Sequence, residues 1–184
     1  MNLKKEMSTT EIAEFLKSKN DFTNIDYLTR FLQEKLPPAT RKFVYLNLGE
    51  IYERSSMFTD SGRAFETAAE ISAEPEKRRL LIKAAQIFAR AGDFTRAENL
   101  IRNAVSKASD FDKREIYNGM KQFYLYSAET YEKARKLGDA IKVYERLLNM
   151  ELSEDEKKKI KTRLMDLYQR LGRIKEYMQM KNSL

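Results

Sequence analysis

The stretch AETYEKARKLGDAIKVYERLL, Ala128 to Leu148, repeats the size pattern of AQIFARAGDFTRAENLIRNAV, Ala85 to Val105. Take the first Ala of each as offset 0. Both then carry an aromatic at offset 3 (Phe88, Tyr131) and Ala at 6 (Ala91, Ala134). A large apolar residue follows at 9 (Phe94, Leu137), Ala at 12 (Ala97, Ala140), and apolar residues at 15 and 16 (Leu100 and Ile101; Val143 and Tyr144). The template fits again from Gly49 (Tyr52, Phe58, Ser61, Phe65), from Met165 (Tyr168, Leu171, Ile174, Tyr177) and, less well, from Ala13 (Leu16, Phe22, Ile25, Leu28). The starts at 13, 49, 85, 128 and 165 are spaced by 36, 36, 43 and 37 residues. A period of about 30 to 45 residues is the signature of stacked repeats.

Within a unit the apolar spacing of three and four is helical, not the alternation of a strand. Each unit has one break near offsets 7 to 9: Asn20-Asp21, Ser56-Met57, Gly92-Asp93, Arg135-Lys136 and Gly172-Arg173. The expectation is therefore an all-α, right-handed solenoid of about five antiparallel helix hairpins. It forms a single repeat domain over residues 1–184, with units starting near 6, 42, 78, 121 and 158. Small residues at offsets 0 and 12 let the paired helices approach, and the aromatics at 3 and 9 fill the space around them. The buried set should include Phe22, Tyr52, Phe65, Phe88, Phe94, Ala97, Tyr131, Ala140, Tyr144, Leu164, Tyr168 and Ile174. "STTE" from Ser8 and "SEDE" from Ser153 are capping boxes that open helices. The 43-residue step adds seven residues, close to two helical turns, so it lengthens one helix without rotating its buried face. The spacing places them in a long helix from about Asp112 to Arg135.

Composition removes several kinds of chemistry. The chain has no Cys and no His, so disulfides, thiol chemistry, histidine-ligated metals and a Ser-His-Asp triad are excluded. No Gly-rich phosphate loop is present, and the acids of "EPE" and "SEDE" sit at helix starts, where carboxylates favour the dipole. A non-enzyme without cofactor or metal is expected. No run of 18 apolar residues exists, so no membrane span is expected, and "MNLKKEMSTTEIAEFL" has no apolar h-region. A cytoplasmic protein is the expectation.

With the pattern in place, the chain resembles the tetratricopeptide (TPR) superfamily. "YLNLGEIY" supplies Tyr45, Leu48, Gly49 and Tyr52, followed by Ser61, Phe65 and Ala68; the next unit supplies Leu81, Ala84, Ala85, Phe88, Ala97 and Ile101. The spacings exceed the family's usual one at every step, which looks like its longer-helix relatives such as the SNAP-type adaptors. The resemblance implies a non-catalytic scaffold or adaptor that binds a peptide, helix or subunit of another protein along a concave face. It assigns to that face Phe43, Leu46, Glu50, Glu53 and Arg54; Arg79, Ile82, Gln86 and Arg90; Gln122, Leu125, Glu129, Glu132 and Lys133; and Lys159, Thr162, Asp166 and Arg170. Some relatives clamp a terminal carboxylate with Lys and Asn on one repeat; Leu46 and Glu50, or Ile82 and Gln86, stand there instead, so that clamp is incomplete.

Charge supplies the competing reading. The net charge is +7, with +4 over residues 78–120 and +6 over residues 158–184. Arg79, Lys83 and Arg90 recur as Lys159, Arg163 and Arg170 two units on, a basic patch that fits an acidic partner. The alternative function is thus an RNA- or ribosome-associated protein using residues 78–90 and 158–181. Against a cationic ladder, Arg54, Lys133 and Arg170 each follow an acid by four residues (Glu50, Glu129, Asp166), the ordinary pairing of an exposed helix. Finally, the C-terminal helix places Met178 and Leu184 outward, with Ile174 and Tyr177 facing the preceding helix. That end is expected to pack against a partner or a second copy of the chain as a homodimer.

Overall fold

The computed structural model describes residues 3–182. The described chain is all-α, with ten helices and no strand. These are α1 (Thr9–Lys17), α2 (Asp21–Phe31), α3 (Pro38–Arg54), α4 (Phe58–Ile71), α5 (Glu76–Arg90), α6 (Phe94–Val105), α7 (Asp110–Lys133), α8 (Leu137–Leu148), α9 (Glu154–Arg170) and α10 (Ile174–Lys181). None of them is long and apolar enough to cross a membrane. The chain divides into two compact units, Met1–Lys113 and Arg114–Leu184.

Four of the five breaks read from the sequence, all but Asn20-Asp21, are one turn written four times. Ser56, Gly92, Arg135 and Gly172 all adopt the left-handed conformation, with φ of 59, 83, 58 and 69°. The next residue in each case donates its N–H five residues back, to the carbonyl of the offset-3 aromatic. Met57 reaches Tyr52 at 2.8 Å, Asp93 reaches Phe88 at 2.9 Å, Lys136 reaches Tyr131 at 2.9 Å and Arg173 reaches Tyr168 at 2.8 Å. This is the Schellman closure, which satisfies carbonyls left orphaned at a helix C-terminus. It stops the first helix of each of these hairpins two residues after its aromatic and fixes where the second begins.

Helix starts are equally local in origin. Ser8 and Ser153 form capping boxes with Glu11 and Glu156, and Asn20 and Asp93 accept from the N–H groups of Thr23 and Arg96. The seven extra residues lie where the spacing put them: α7 has 24 residues against 17 in α3 and α9.

In the first unit, α2 packs on α3, α3 on α4, α4 on α5 and α5 on α6. Ile12, Phe15 and Leu16 of α1, Leu28 and Phe31 of α2, and Val44, Leu48 and Ile51 of α3 share one apolar cluster. The close approach of α3 and α4 depends on Gly49. A Cβ there would lie 2.8 Å from the Phe65 ring. Gly62 of α4 serves Phe88 of α5 in the same way, at 2.8 Å. Ser61 takes the place that Ala97 and Ala140 hold in later units; it is fully buried, and its Oγ donates to the Gly49 carbonyl at 2.7 Å. In the second unit α8 packs on α9 and α9 on α10, around Tyr144, Leu147, Leu164, Leu167 and Tyr168.

Of the residues expected inside, Phe65, Phe88, Ala97, Ala140, Tyr144, Leu164 and Tyr168 are buried, and Tyr52, Phe94 and Tyr131 are half-buried. Phe22 and Ile174 are not inside: they are 78% and 60% exposed. The cause is their place at offset 9, which falls in the first turn of the second helix, at the tip of the hairpin. A tip residue is covered only when a neighbour reaches over it. Phe58 is covered this way by the Arg90 guanidinium, 4.3 Å from the ring centroid. Arg54, at the same register as Arg90, instead turns to Asp21 and leaves Phe22 bare.

Candidate functional site

The second unit holds an open groove of about 830 Å³ between α7 and α9, floored by α8. Leu125 and Glu129 line it from α7, Tyr144 from α8, and Asp155, Lys158, Lys159, Ile160, Thr162, Arg163 and Asp166 from α9. Ile160 and Tyr144 are buried and Leu125 half-buried, so the floor is apolar. The charged side chains stand on the exposed walls. One end is tied by Lys121, whose Nζ lies 2.9 Å from Glu156 Oε1. The bond to Lys121, then the bonds from Ser153, hold the Glu156 carboxyl down to about 2.

The repeat register shows how the charges here differ from those of the first unit. In the first unit Glu53 bridges two of them: its carboxylate lies 2.8 Å from Lys83 Nζ and 2.7 Å from Arg90 Nη1. Glu132 stands at the register of Glu53, and Arg163 at that of Lys83. But Tyr144 stands where that unit has Phe65, and it brings a hydroxyl. Tyr144 Oη donates to Glu132 Oε1 at 2.6 Å. Burial, then the Glu132 bond, pushes the phenol well above its ordinary 10, so it stays a neutral donor. Arg163 makes no ion pair among the described residues, and neither do Lys158 and Lys159.

The residues expected on a binding face or in a basic patch divide accordingly. Leu125, Glu129, Lys159, Thr162, Arg163 and Asp166 come together in this groove. Lys133 is exposed on the last turn of α7, and Arg170 pairs with Asp166 at 3.4 Å. In the first unit Phe43 packs against the α1–α3 cluster, while Leu46, Ile82 and Gln86 are half-buried and Glu50 and Arg79 exposed. Arg54 pairs with Asp21 on α2 at 2.9 Å, not with Glu50 on its own helix. The basic patch of residues 78–90 is largely consumed: Arg78 pairs with Asp112 at 3.2 Å, and Lys83 and Arg90 share Glu53. Sequence reasoning missed Tyr144, Asp155, Lys158 and Ile160 as groove residues. Tyr144 had been assigned wholly to the core; the signal was its hydroxyl at a position where an earlier unit has Phe.

No family model and no curated protein matches the chain. Among solved structures it is similar to the crystal structure of BtubC (BKLC) from P. vanneervenii, at 18% identity and a TM-score of 0.43, over 95% of this chain and 76% of that one.

Proposed function

We propose that the chain is a non-catalytic protein-binding scaffold, a TPR-like right-handed stack of helix hairpins, whose principal site is the α7/α9 groove. The occupant is an extended peptide or a helix of another protein, laid along α7 and α9 with apolar side chains on Leu125, Tyr144 and Ile160. The observation that carries this reading is the groove itself: an apolar floor, a volume of about 830 Å³, and unpaired cations on one wall. An apolar trough with a charged rim suits a segment bearing a few anchor side chains. In further support, four hairpins repeat one turn geometry.

The unpaired Lys158, Lys159 and Arg163 favour a second reading, in which RNA lies along α9. Affinity purification separates the two when run with wild type, Leu125→Glu and Arg163→Glu, each with and without nuclease. A scaffold keeps its partner after nuclease and loses it with Leu125→Glu. Partners that vanish with nuclease, and are lost with Arg163→Glu but not Leu125→Glu, overturn the scaffold reading in favour of RNA.

A further inference from the structure

A second apolar surface lies on α10, away from the groove. Ile174 is 60% and Met178 50% exposed, with Leu171 of the preceding turn 45% exposed beside them. At about 100° per residue, Ile174 and Met178 fall on one stripe, with Lys175 to one side and Lys181 to the other. Both lysines are exposed, and neither makes an ion pair among the described residues. Tyr177 and Met180, about 60° and 120° round the helix from Ile174 on the side away from Met178, are half-buried. This corrects the sequence expectation for Ile174 and agrees with it for Met178; Leu184 lies outside the described residues.

The register shows what kind of object fits there. Ile174 and Met178 are at offsets 9 and 13. In α8 the same offsets hold Leu137 and Ile141, and Ile141 is 1% exposed in a helix packed against α9. In α4 they hold Phe58 and Gly62, which meet Arg90 and Phe88 of α5. In α4, then, the following helix packs against these positions, and in α8, itself packed on the following helix, the second of them is buried. On α10 the stripe is complete and bare. Its flanks decide the partner's charge. Two copies meeting through this stripe bring Lys175 and Lys181 against the same lysines, in segments that each carry +6 over residues 158–184. A helix with acids beside its apolar stripe meets them with opposite charge.

We propose that the outer face of α10 docks an amphipathic helix of another protein, seated as α9 is on α8, with an apolar stripe over Ile174 and Met178 and acidic residues against Lys175 and Lys181. The surface is separate from the α7/α9 groove, and the two partners bind independently.

The test uses two fluorescein-labelled synthetic helical peptides with the same Leu/Ala stripe, one flanked by Glu and one by Lys, titrated with the full chain and read by anisotropy. The Glu-flanked peptide binds at least about tenfold more tightly than the Lys-flanked one, and the preference shrinks with added salt. Met178→Glu removes the binding, Lys175→Glu with Lys181→Glu reverses the preference, and Arg163→Glu in the groove changes neither. These positions are exposed, and unchanged helicity and melting temperature verify the fold of each variant. The proposal is overturned if neither peptide binds, if the two bind alike, or if Arg163→Glu abolishes binding while Met178→Glu does not. It is equally overturned if sedimentation shows a dimer of the chain that Met178→Glu dissolves.

Discussion

Replacing Gly49 with Ala tests the packing on which the hairpin pattern rests. The substitution adds one methyl, and that methyl lands 2.8, 2.9 and 2.9 Å from three atoms of the Phe65 ring. These distances are inside any real carbon contact, so the ring or a helix has to move. Phe65 is 4% exposed, which leaves the ring no open side to swing into. Overpacking of this kind costs about 1–3 kcal/mol. Ala is the better helix former, which returns about 1 kcal/mol. The expected net loss is about 0–2 kcal/mol, and in a chain of this size each kcal/mol moves Tm by about 2–4 °C. Gly119 is the control: it is exposed in α7, and an added Cβ meets nothing within 4 Å. The same Gly→Ala change there stabilises by about 0.5–1 kcal/mol. Thermal melts followed by far-UV circular dichroism read both. A double-mutant cycle of Gly49→Ala with Phe65→Leu gives a coupling above about 0.5 kcal/mol, because the smaller side chain relieves the clash. Equal and stabilising effects at Gly49 and Gly119 would refute the close α3–α4 contact.

Three further predictions follow from the same geometry. Arg135→Gly stabilises by about 0.5–1 kcal/mol, because Arg135 holds a left-handed conformation that costs a non-glycine residue about 1–2 kcal/mol; Gly92→Ala destabilises by a similar amount, and urea melts measure both. Ala97→Leu and Ala140→Leu, at positions with no exposure, each lower stability by about 1–3 kcal/mol, and an unchanged Tm for both sinks the repeat register. The Glu156 carboxyl, held at about 2 against an ordinary 4.5, contributes stability present above the ordinary value and lost as pH falls from about 4.5 to about 2; Glu156→Gln removes that part of the acid dependence, as melts across this range show.

The fold was legible where its cause is local. Hairpin tips could be placed because the aromatic at offset 3 and the left-handed residue at offset 7 belong to one closure, with Gly92 and Gly172 supplying the conformation directly. The length of α7 followed from the spacing alone. Residues whose burial depends on a neighbouring element were not legible. Phe22 and Phe58 share an offset, but only Phe58 lies under a guanidinium, and no period in the sequence shows which arginine turns inward. The charges behave alike. Local spacing paired Arg54 with Glu50, whereas the structure gives Arg54 an acid 33 residues away. The groove was half visible: Leu125, Glu129, Thr162 and Arg163 follow from the register, but the Tyr144 hydroxyl donating to Glu132 does not.

The central claim is that the α7/α9 groove holds another protein. Site-specific photocrosslinking tests it most directly, with p-benzoylphenylalanine placed at Thr162 on the exposed wall of the groove or at Lys142 on an exposed position of α8 outside the groove lining. Irradiation in native lysate is predicted to give a discrete protein adduct from position 162, unaffected by nuclease, and none from position 142. Equal labelling from both positions, or an adduct at 162 that nuclease removes, contradicts the account.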